Sequence, residues 1–314
     1  MAEASRVGRQ RSLSVAWRWD VKKPWTGCRS IMIAVAACAV ASALVSADGQ
    51  QGQAGSAGGA AYTAPRTPDG QPDLQGFWTV VPGGTYNIWD LEYQSIHQNG
   101  RPEPELRGKS RIVDPPDGKI PYQPWAAAKA KLIHDNHADP TPQFLDPDAR
   151  CFLQGVPRHL YNREIEIFQS PGYVTFFNMA HHTYRAIPLD GSPHIPEGLK
   201  LWMGDSRGRW DGDTLVVSVA NHNDQTWFDI VGDFHSDALN VAERFRRVSA
   251  GSIEYEAVIT DPKVYTRPWK MVLRFQRQRE QNIEMWEEAC YENNWNSLEG
   301  MLNRPGREHA PKAP

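Results

Sequence analysis

Apolar and polar side chains alternate along the second half of the chain. In Ile253–Thr260 the odd-numbered positions are apolar and the even-numbered ones mostly polar, and Trp269–Gln276 repeats this pattern. Because successive side chains of a β-strand point to opposite faces, a period of two predicts strands with one buried face. Weaker versions of the pattern predict further strands at Glu164–Gln169, Tyr173–Phe177, Thr183–Ile187, Thr214–Val219, Ala242–Val248 and Ile283–Glu288.

Turn-forming sequences separate these segments, among them Asp190-Gly191, Asp211-Gly212-Asp213 and Asp261-Pro262. Seven or eight strands at this spacing predict a mainly β fold, an antiparallel sheet curled into a barrel or a sandwich. The Pro-rich first third is expected to be irregular apart from one helix at Pro124–Asn136, where proline suits the first turn. The sequence contains no Gly-rich phosphate loop and no βαβ alternation, which argues against a nucleotide-binding α/β fold.

The first 47 residues differ in composition from the rest. Seven basic and two acidic side chains in residues 1–30 precede an uncharged stretch, Ile31–Ala47, that ends in the small-x-small sequence Val45-Ser46-Ala47. This order is typical of a cleavable signal peptide and predicts a periplasmic or secreted protein. Two alternatives stay open: a membrane-spanning helix, and a lipoprotein leader whose processing leaves Cys38 as the lipidated first residue.

The remaining chain is predicted to form one domain. Residues 48–61 have the Gly, Ala, Gln and Ser content of a disordered linker, 62–302 form the β-rich domain, and 303–314 form a flexible tail. Because residues 1–47 contribute +5 to a chain with a net charge of −3, residues 48–314 carry −8. This acidic balance argues against nucleic acid as a partner. Membrane contact is expected only through an uncleaved leader or a lipidated Cys38.

Only two cysteines, Cys151 and Cys290, lie outside the predicted leader. In an exported domain, two cysteines are most simply one disulfide. Such a bond would close a very long loop, and two buried free thiols are the alternative.

A strand through residues 181–185 would place His181, Thr183 and Arg185 on one face. In a barrel, that face could line the interior. An imidazole transfers protons near neutral pH, and a guanidinium holds a carboxylate or enolate oxygen. We therefore predict His181 as an acid or base and Arg185 as the group that holds an anion. Half-exposed strand histidines are the alternative reading.

Asp213 and His235 complete the predicted catalytic set. Asp213 belongs to a sequence that most simply forms a tight turn, but its carboxylate, or that of Asp205, could act as a base or a ligand. In the predicted enzyme, Asp213 orients an imidazole. His235 is predicted as the second acid or base; the alternative is a structural position beside a short helical turn at Asp237–Val241. No Gly-x-Ser-x-Gly sequence marks a nucleophilic serine.

Aromatic side chains often line ligand pockets, and three tryptophans lie in or near the turn-rich polar region. Trp202, Trp210 and Trp227 are the predicted pocket walls, and His194 is a further predicted binding residue. We expect no metal and no cofactor, because the chain has no His-x-His, no His-Glu-x-x-His and no cysteine cluster. The alternative is a metal site in which an acid joins members of the set His181, His194, His222 and His235.

Several phrases of the sequence together resemble a large family of uncharacterised exported bacterial proteins. They are Thr67-Pro68-Asp69-Gly70 through Gly76-Phe77-Trp78, Gly204-Asp205-Ser206 through Val216-Val217, His235-Ser236-Asp237-Ala238-Leu239, Glu243-Arg244-Phe245, Thr266-Arg267-Pro268-Trp269 and Cys290-Tyr291-Glu292-Asn293. The resemblance runs from about residue 64 to 294 and implies no particular activity. The Gly-x-Trp opening and the strand-rich remainder also resemble lipocalin-type barrels.

Two functions are consistent with these features. The first is an exported β-barrel enzyme with metal-free acid/base chemistry, such as a lyase, isomerase or hydrolase acting on a small carbohydrate or aromatic compound. The second is a non-catalytic barrel that binds a small ligand. A structural role at the cell envelope is a third possibility.

Overall fold

A computed structural model describes residues 62–81, 87–89, 110–137, 140–278, 280 and 283–290. These residues form ten strands and one α-helix, with short 3-10 turns at Asp148–Arg150, Arg158–Leu160 and Ala180–His182. The elements are β1 (Gly76–Val81), β2 (Ile112–Asp114), α1 (Pro124–Asn136), β3 (Ile165–Ser170), β4 (Tyr173–Asn178), β5 (Thr183–Pro188), β6 (Asp205–Asp211), β7 (Thr214–Ala220), β8 (Asn240–Ser249), β9 (Ser252–Thr260) and β10 (Trp269–Arg277).

The strands form one antiparallel sheet in the order β5-β4-β3-β1-β10-β9-β8-β7-β6, and β2 also pairs with β10. Hairpins join most neighbours, while β1 connects the two halves by pairing with both β3 and β10. The terminal strands β5 and β6 meet through side chains: Arg185 Nε donates to Ser206 Oγ at 2.9 Å. The sheet is therefore nearly closed into a barrel, and the predicted mainly β class is confirmed.

Glycine at position 208 allows β5 and β6 to approach. A Cβ atom there would lie 2.7 Å from side-chain carbons of both Ile187 and Leu189, which is closer than such atoms pack. These two side chains occupy the space over the glycine and seal the seam with apolar contacts. The region defined by Arg185, Ser206, Gly208, Ile187 and Leu189 is called the β5–β6 seam below.

The barrel interior is filled by the buried face of each alternating strand. In β9 the inward residues are Ile253, Tyr255, Ala257 and Ile259, as the period of two predicts. Phe245 of β8 packs against Tyr255 with ring centroids 4.8 Å apart. Each such large apolar side chain contributes about 1.5–3 kcal/mol to folding when it is fully buried. The core of side chains is therefore the main stabilising element of the barrel.

Some predicted elements are confirmed and others are wrong. The helix lies at Pro124–Asn136 as predicted, but Ile283–Glu288 is not a strand. That segment lies instead against the turn at Ala180–His182, where a Glu288 carboxylate oxygen accepts from the backbone N–H of His181. The predicted helical turn at Asp237–Val241 is also wrong, because β8 already begins at Asn240.

The predicted leader and linker (residues 1–61) and the predicted tail (303–314) lie outside the described residues, as does Cys38. Within the part of the chain that the structure describes, no helix has the length and apolar character needed to cross a membrane.

Candidate functional site

Arg185 lies inside the barrel, in a buried polar cluster. Its guanidinium makes a two-point contact with the carboxylate of Glu243, with N–O distances of 3.2 and 2.5 Å. Tyr255 donates its hydroxyl to Glu243 Oε1 at 2.9 Å, and Ser206 accepts from Arg185 Nε. Glu243 is fully buried, so the pair is shielded from solvent. Arg185 thus points inward as predicted, but its anion partner is supplied by the protein itself.

His235 is also buried, and both of its ring nitrogens have partners. Nδ1 donates to the backbone oxygen of Ser236 at 2.9 Å, and Nε2 accepts from the Thr226 hydroxyl at 2.6 Å. This arrangement selects one neutral tautomer. Burial, above all, lowers the pKa of His235, so the ring stays uncharged near neutral pH. Its hydrogen bonds hold the loop between β7 and β8.

Two further imidazoles, His159 and His222, are fully buried, and their ring nitrogens have no hydrogen-bond partner among the described residues. The His222 ring lies 5.8 Å from the His235 ring, centroid to centroid. Burial lowers the pKa of both well below the usual value, and the positive charge of Arg185 adds to the effect. Both imidazoles are therefore neutral in the folded chain.

His181 is not on a strand, contrary to the prediction. It lies in the turn before β5 with a left-handed backbone (φ 57°) and does not share the inward face of Arg185. Its Nε2 donates to Asp148 Oδ1 at 2.5 Å. The chain therefore separates the two residues that a continuous strand would have placed together.

Asp213 and His194 also have structural partners. Asp213 lies at the β6–β7 turn, where its carboxylate pairs with the Arg66 guanidinium at 2.5 Å, and both side chains are more than a third exposed. The role of Asp213 in orienting an imidazole stays a prediction. His194 donates from Nδ1 to Asp205 Oδ2 at 2.7 Å and contacts the Ser218 hydroxyl through Nε2.

The three predicted pocket tryptophans have different packing partners. Trp202 stacks on Phe152 with ring centroids 4.9 Å apart, while Trp210 and Trp227 pack against the hydrophobic core. The predicted disulfide is present, linking Cys151 to Cys290 with Cα atoms 5.8 Å apart.

A cavity of about 360 Å³ lies beside α1. Its lining is apolar and aromatic, with a few polar groups; Trp89, Ile120, Tyr122, Val231, Asp233 and Lys119 belong to it. It is called the α1 cavity below. Its size is that of a small-ligand pocket, and its mixture of aromatic walls and a few polar groups is typical of one.

A carboxyl group stands at the wall of the α1 cavity. Asp233 is 5% exposed; its Oδ2 accepts from Trp89 Nε1 and its Oδ1 from the Tyr122 hydroxyl, each at 2.9 Å. Behind it, Asp229 is completely buried and accepts from the backbone N–H groups of Gly232 and Asp233. Burying two ionised carboxylates side by side costs several kcal/mol of folding free energy, unless one of them is protonated.

The two carboxyl groups titrate as a pair. Burial raises the pKa of Asp229 well above its usual range, and the negative charge of Asp233 raises it further. Burial also raises the pKa of Asp233, against hydrogen bonds from Asp229, Tyr122 and Trp89 that favour its ionised form. The pair therefore favours a state with one proton, held mainly by Asp229, and one negative charge, held mainly by Asp233.

These two aspartates were missed at the level of sequence. A signal was present, because Asp229 and Asp233 interrupt the apolar run Trp227–Phe234, and an acid inside such a run is a sign of a buried carboxyl group. Trp89 and Tyr122 could not be connected with them, since each lies more than 100 residues away along the chain.

No protein-family model matches the chain, and no curated protein sequence does. Among solved structures, the chain is similar to the crystal structure of an Asn-to-Ala mutant of the fluorescent protein UnaG. That similarity covers 37% of this chain and 72% of UnaG, at 14% identity and a TM-score of 0.22. These values are too low to support any statement about function.

Proposed function

We propose that this chain is an exported β-barrel enzyme that performs acid/base chemistry on a small aromatic compound in the α1 cavity, with Asp233 as the reacting carboxylate. The observation that carries the proposal is that Asp233 lines a cavity of about 360 Å³ while almost completely buried. Buried carboxyl pairs with raised pKa values occur preferentially at catalytic sites. Export is supported by the signal-peptide order of residues 1–47 and by the disulfide.

The chemistry requires only protons. Asp233 accepts a proton from an acidic C–H or O–H of the bound compound, and the negative charge moves to the substrate. The same carboxyl group then returns the proton to a neighbouring atom, which completes an isomerisation. Asp229 keeps its proton throughout and donates a hydrogen bond to Asp233, which tunes the basicity of that carboxylate. Tyr122 donates to Asp233 Oδ1 and holds the carboxylate in place.

The walls of the cavity indicate the substrate class. Trp89 and Tyr122 offer flat apolar surfaces that suit an aromatic ring. Lys119 and Lys131 line the same cavity and provide positive charge for an acidic substituent, although Lys131 is also 2.6 Å from Asp135. A small aromatic acid therefore matches both the walls and the charge. Arg185 and His235 bond to groups of the protein itself in the contacts described above. Their predicted catalytic roles therefore stay predictions.

A second candidate function is binding without turnover. One observation favours it: both oxygens of Asp233 already accept hydrogen bonds, from Trp89 and Tyr122. A carboxylate held in this way can serve as a fixed acceptor for a ligand hydroxyl group without ever exchanging a proton with it.

The test uses solvent exchange, because it needs no knowledge of the natural product. The full chain is incubated in D2O with a panel of hydroxybenzoates and hydroxyphenylacetates, and deuterium entering carbon-bound positions is followed by NMR. Exchange that is abolished in Asp233→Asn supports the enzyme. The control is Asp237→Asn, which changes an exposed aspartate paired with Lys263 and should leave the exchange rate unchanged.

Chemical-shift changes in the panel compounds, without deuterium entry, would favour the binding protein. Exchange that persists at the wild-type rate in Asp233→Asn would contradict the assignment of Asp233. Absence of both exchange and binding across the panel would contradict the aromatic-acid class.

A further inference from the structure

We propose that Cys151, Cys290 and His181 form a zinc site that becomes available when their disulfide is reduced. The ligand atoms of these three residues lie within 4.8 Å of one another. A zinc ion bound by two thiolates and one imidazole needs Zn–S distances of about 2.3 Å and a Zn–N distance of about 2.1 Å. In a tetrahedral site this places the two sulfurs about 3.8 Å apart. Breaking the disulfide and moving the two sulfurs slightly apart is therefore sufficient to form the zinc site.

The imidazole is already oriented for this role. His181 Nε2 donates to Asp148 Oδ1 at 2.5 Å, while its Nδ1 is buried and has no hydrogen-bond partner in the part of the chain that the structure describes. Fixing one ring nitrogen on a carboxylate leaves the lone pair on the other nitrogen available. Zinc-bound histidines in proteins are typically held in this way.

Asp148 is in turn held by its own partners. Arg158 lies 3.3 Å from Asp148 Oδ2, and Gln154 donates to Oδ1 at 2.8 Å. Each of the three ligand residues is partly exposed, although the Nδ1 atom of His181 is itself buried. The positioning carboxylate is thus fixed by two partners beside a partly exposed site.

The backbone around the site is also unusual. Cys151 and His181 both have left-handed φ angles, 62° and 57°, which residues other than glycine rarely adopt. Such conformations cost free energy and are concentrated at functional sites. Here they turn the two side chains toward Cys290. This observation is independent of the α1 cavity and of the proposed acid/base function.

The reaction balances with a thiol reductant. A dithiol transfers two electrons and two protons to the Cys151–Cys290 bond, giving two thiols, and is itself oxidised to a disulfide. Zinc binding then releases the two thiol protons to solvent as the thiolates and the His181 imidazole bind the ion. A water molecule takes the fourth position.

The experiment uses cobalt(II) as a spectroscopic probe and zinc as its competitor. The full chain carries Cys28→Ser and Cys38→Ser, so that its only thiols come from Cys151 and Cys290. After phosphine reduction and removal of the reductant, we expect one cobalt per chain, the visible bands of a tetrahedral thiolate site, and displacement by one equivalent of zinc. The oxidised chain should bind none.

Variants test the imidazole and its support. His181→Ala should weaken zinc binding at least 100-fold, while Asp148→Asn should weaken it about 10- to 100-fold. His181→Cys should keep the binding and change the cobalt spectrum to that of three thiolates. The matched control is His182→Ala, since this neighbouring histidine is exposed and is not one of the three proposed ligands.

Several outcomes would overturn the proposal. They are equal zinc affinity in His181→Ala and the parent chain, zinc binding by the oxidised chain, and no binding by the reduced chain. Near-UV circular dichroism of the reduced chain accompanies each titration. Binding that occurs only after loss of the folded signal would also overturn the proposal, because the site requires the folded positions of the three ligands.

Discussion

Replacing Arg185 by methionine should strongly destabilise the barrel. The substitution removes the two-point partner of Glu243, a carboxylate with no solvent exposure. Only the Tyr255 hydroxyl remains as a described hydrogen-bond donor to it. Removing one member of a buried ion pair costs about 3–5 kcal/mol, because the remaining charge is left uncompensated. For a domain of this size, that corresponds to a fall in Tm of roughly 6–20 °C.

The double variant Arg185→Met, Glu243→Leu provides the decisive comparison. It removes both charges and leaves an apolar pair of similar volume, so we expect most of the lost stability to return. Urea unfolding followed by tryptophan fluorescence, with the disulfide intact, measures all three free energies. Arg244→Met is the matched control: this adjacent residue pairs with Asp211 at the surface, and its loss should cost less than about 1 kcal/mol.

Two results would refute this reasoning. The first is an Arg185→Met variant within about 1 kcal/mol of the parent, which would mean that Glu243 is solvated or protonated after the change. The second is a double variant no more stable than the single one. In that case packing of the arginine side chain, rather than compensation of charge, would account for the loss.

Three further changes have defined outcomes. The pKa of Asp229 is raised in the folded state, so this group lowers the free energy of unfolding as pH rises above its unfolded pKa of about 3.9. Asp229→Asn should therefore be more stable than the parent from pH 4 upward, by about 1.4 kcal/mol for each unit by which the pKa is raised. Urea titrations at several pH values measure this difference. Gly232→Ala should lower the free energy of unfolding by about 2–4 kcal/mol in the same assay, because its φ of +97° disfavours a side chain and the new methyl group would overlap Ile133. An unchanged free energy of unfolding would mean that this loop can move. Joint replacement of Cys151 and Cys290 by alanine should cost about 5 kcal/mol, because their bond closes a loop with a sequence separation of 139, and a loss below 1 kcal/mol would indicate a compact unfolded chain.

The fold could be predicted where burial alternates cleanly. In β9 every odd-numbered residue is buried, as are the odd-numbered residues of β10 from Trp269 to Phe275, and both segments were recognised from the period of two alone. β6 was missed because its inward positions are Ser206 and Gly208, which the apolar pattern does not mark. Glycine is selected there by the crowding at the β5–β6 seam, and that contact joins residues from different hairpins.

The candidate site was less predictable for a physical reason. The direction of Arg185 follows from strand periodicity, but its partner Glu243 lies 58 residues further along the chain. His181 was wrongly predicted to lie on a strand. Its left-handed backbone ends the strand pattern, and no neighbouring glycine or proline indicates this in the sequence. The α1 cavity is built from residues of several separate segments, and its acidic pair acquires its chemistry only from burial.

The β5–β6 seam affects where the barrel wall can open locally. Every other neighbouring pair of strands is joined by a ladder of backbone hydrogen bonds, whereas these two described strands meet through side chains alone. Separating β5 from β6 requires changes in side-chain rotamers, but no cooperative loss of backbone hydrogen bonds. The β5–β6 seam is therefore the part of the barrel wall where separating two neighbouring strands costs the fewest described backbone hydrogen bonds.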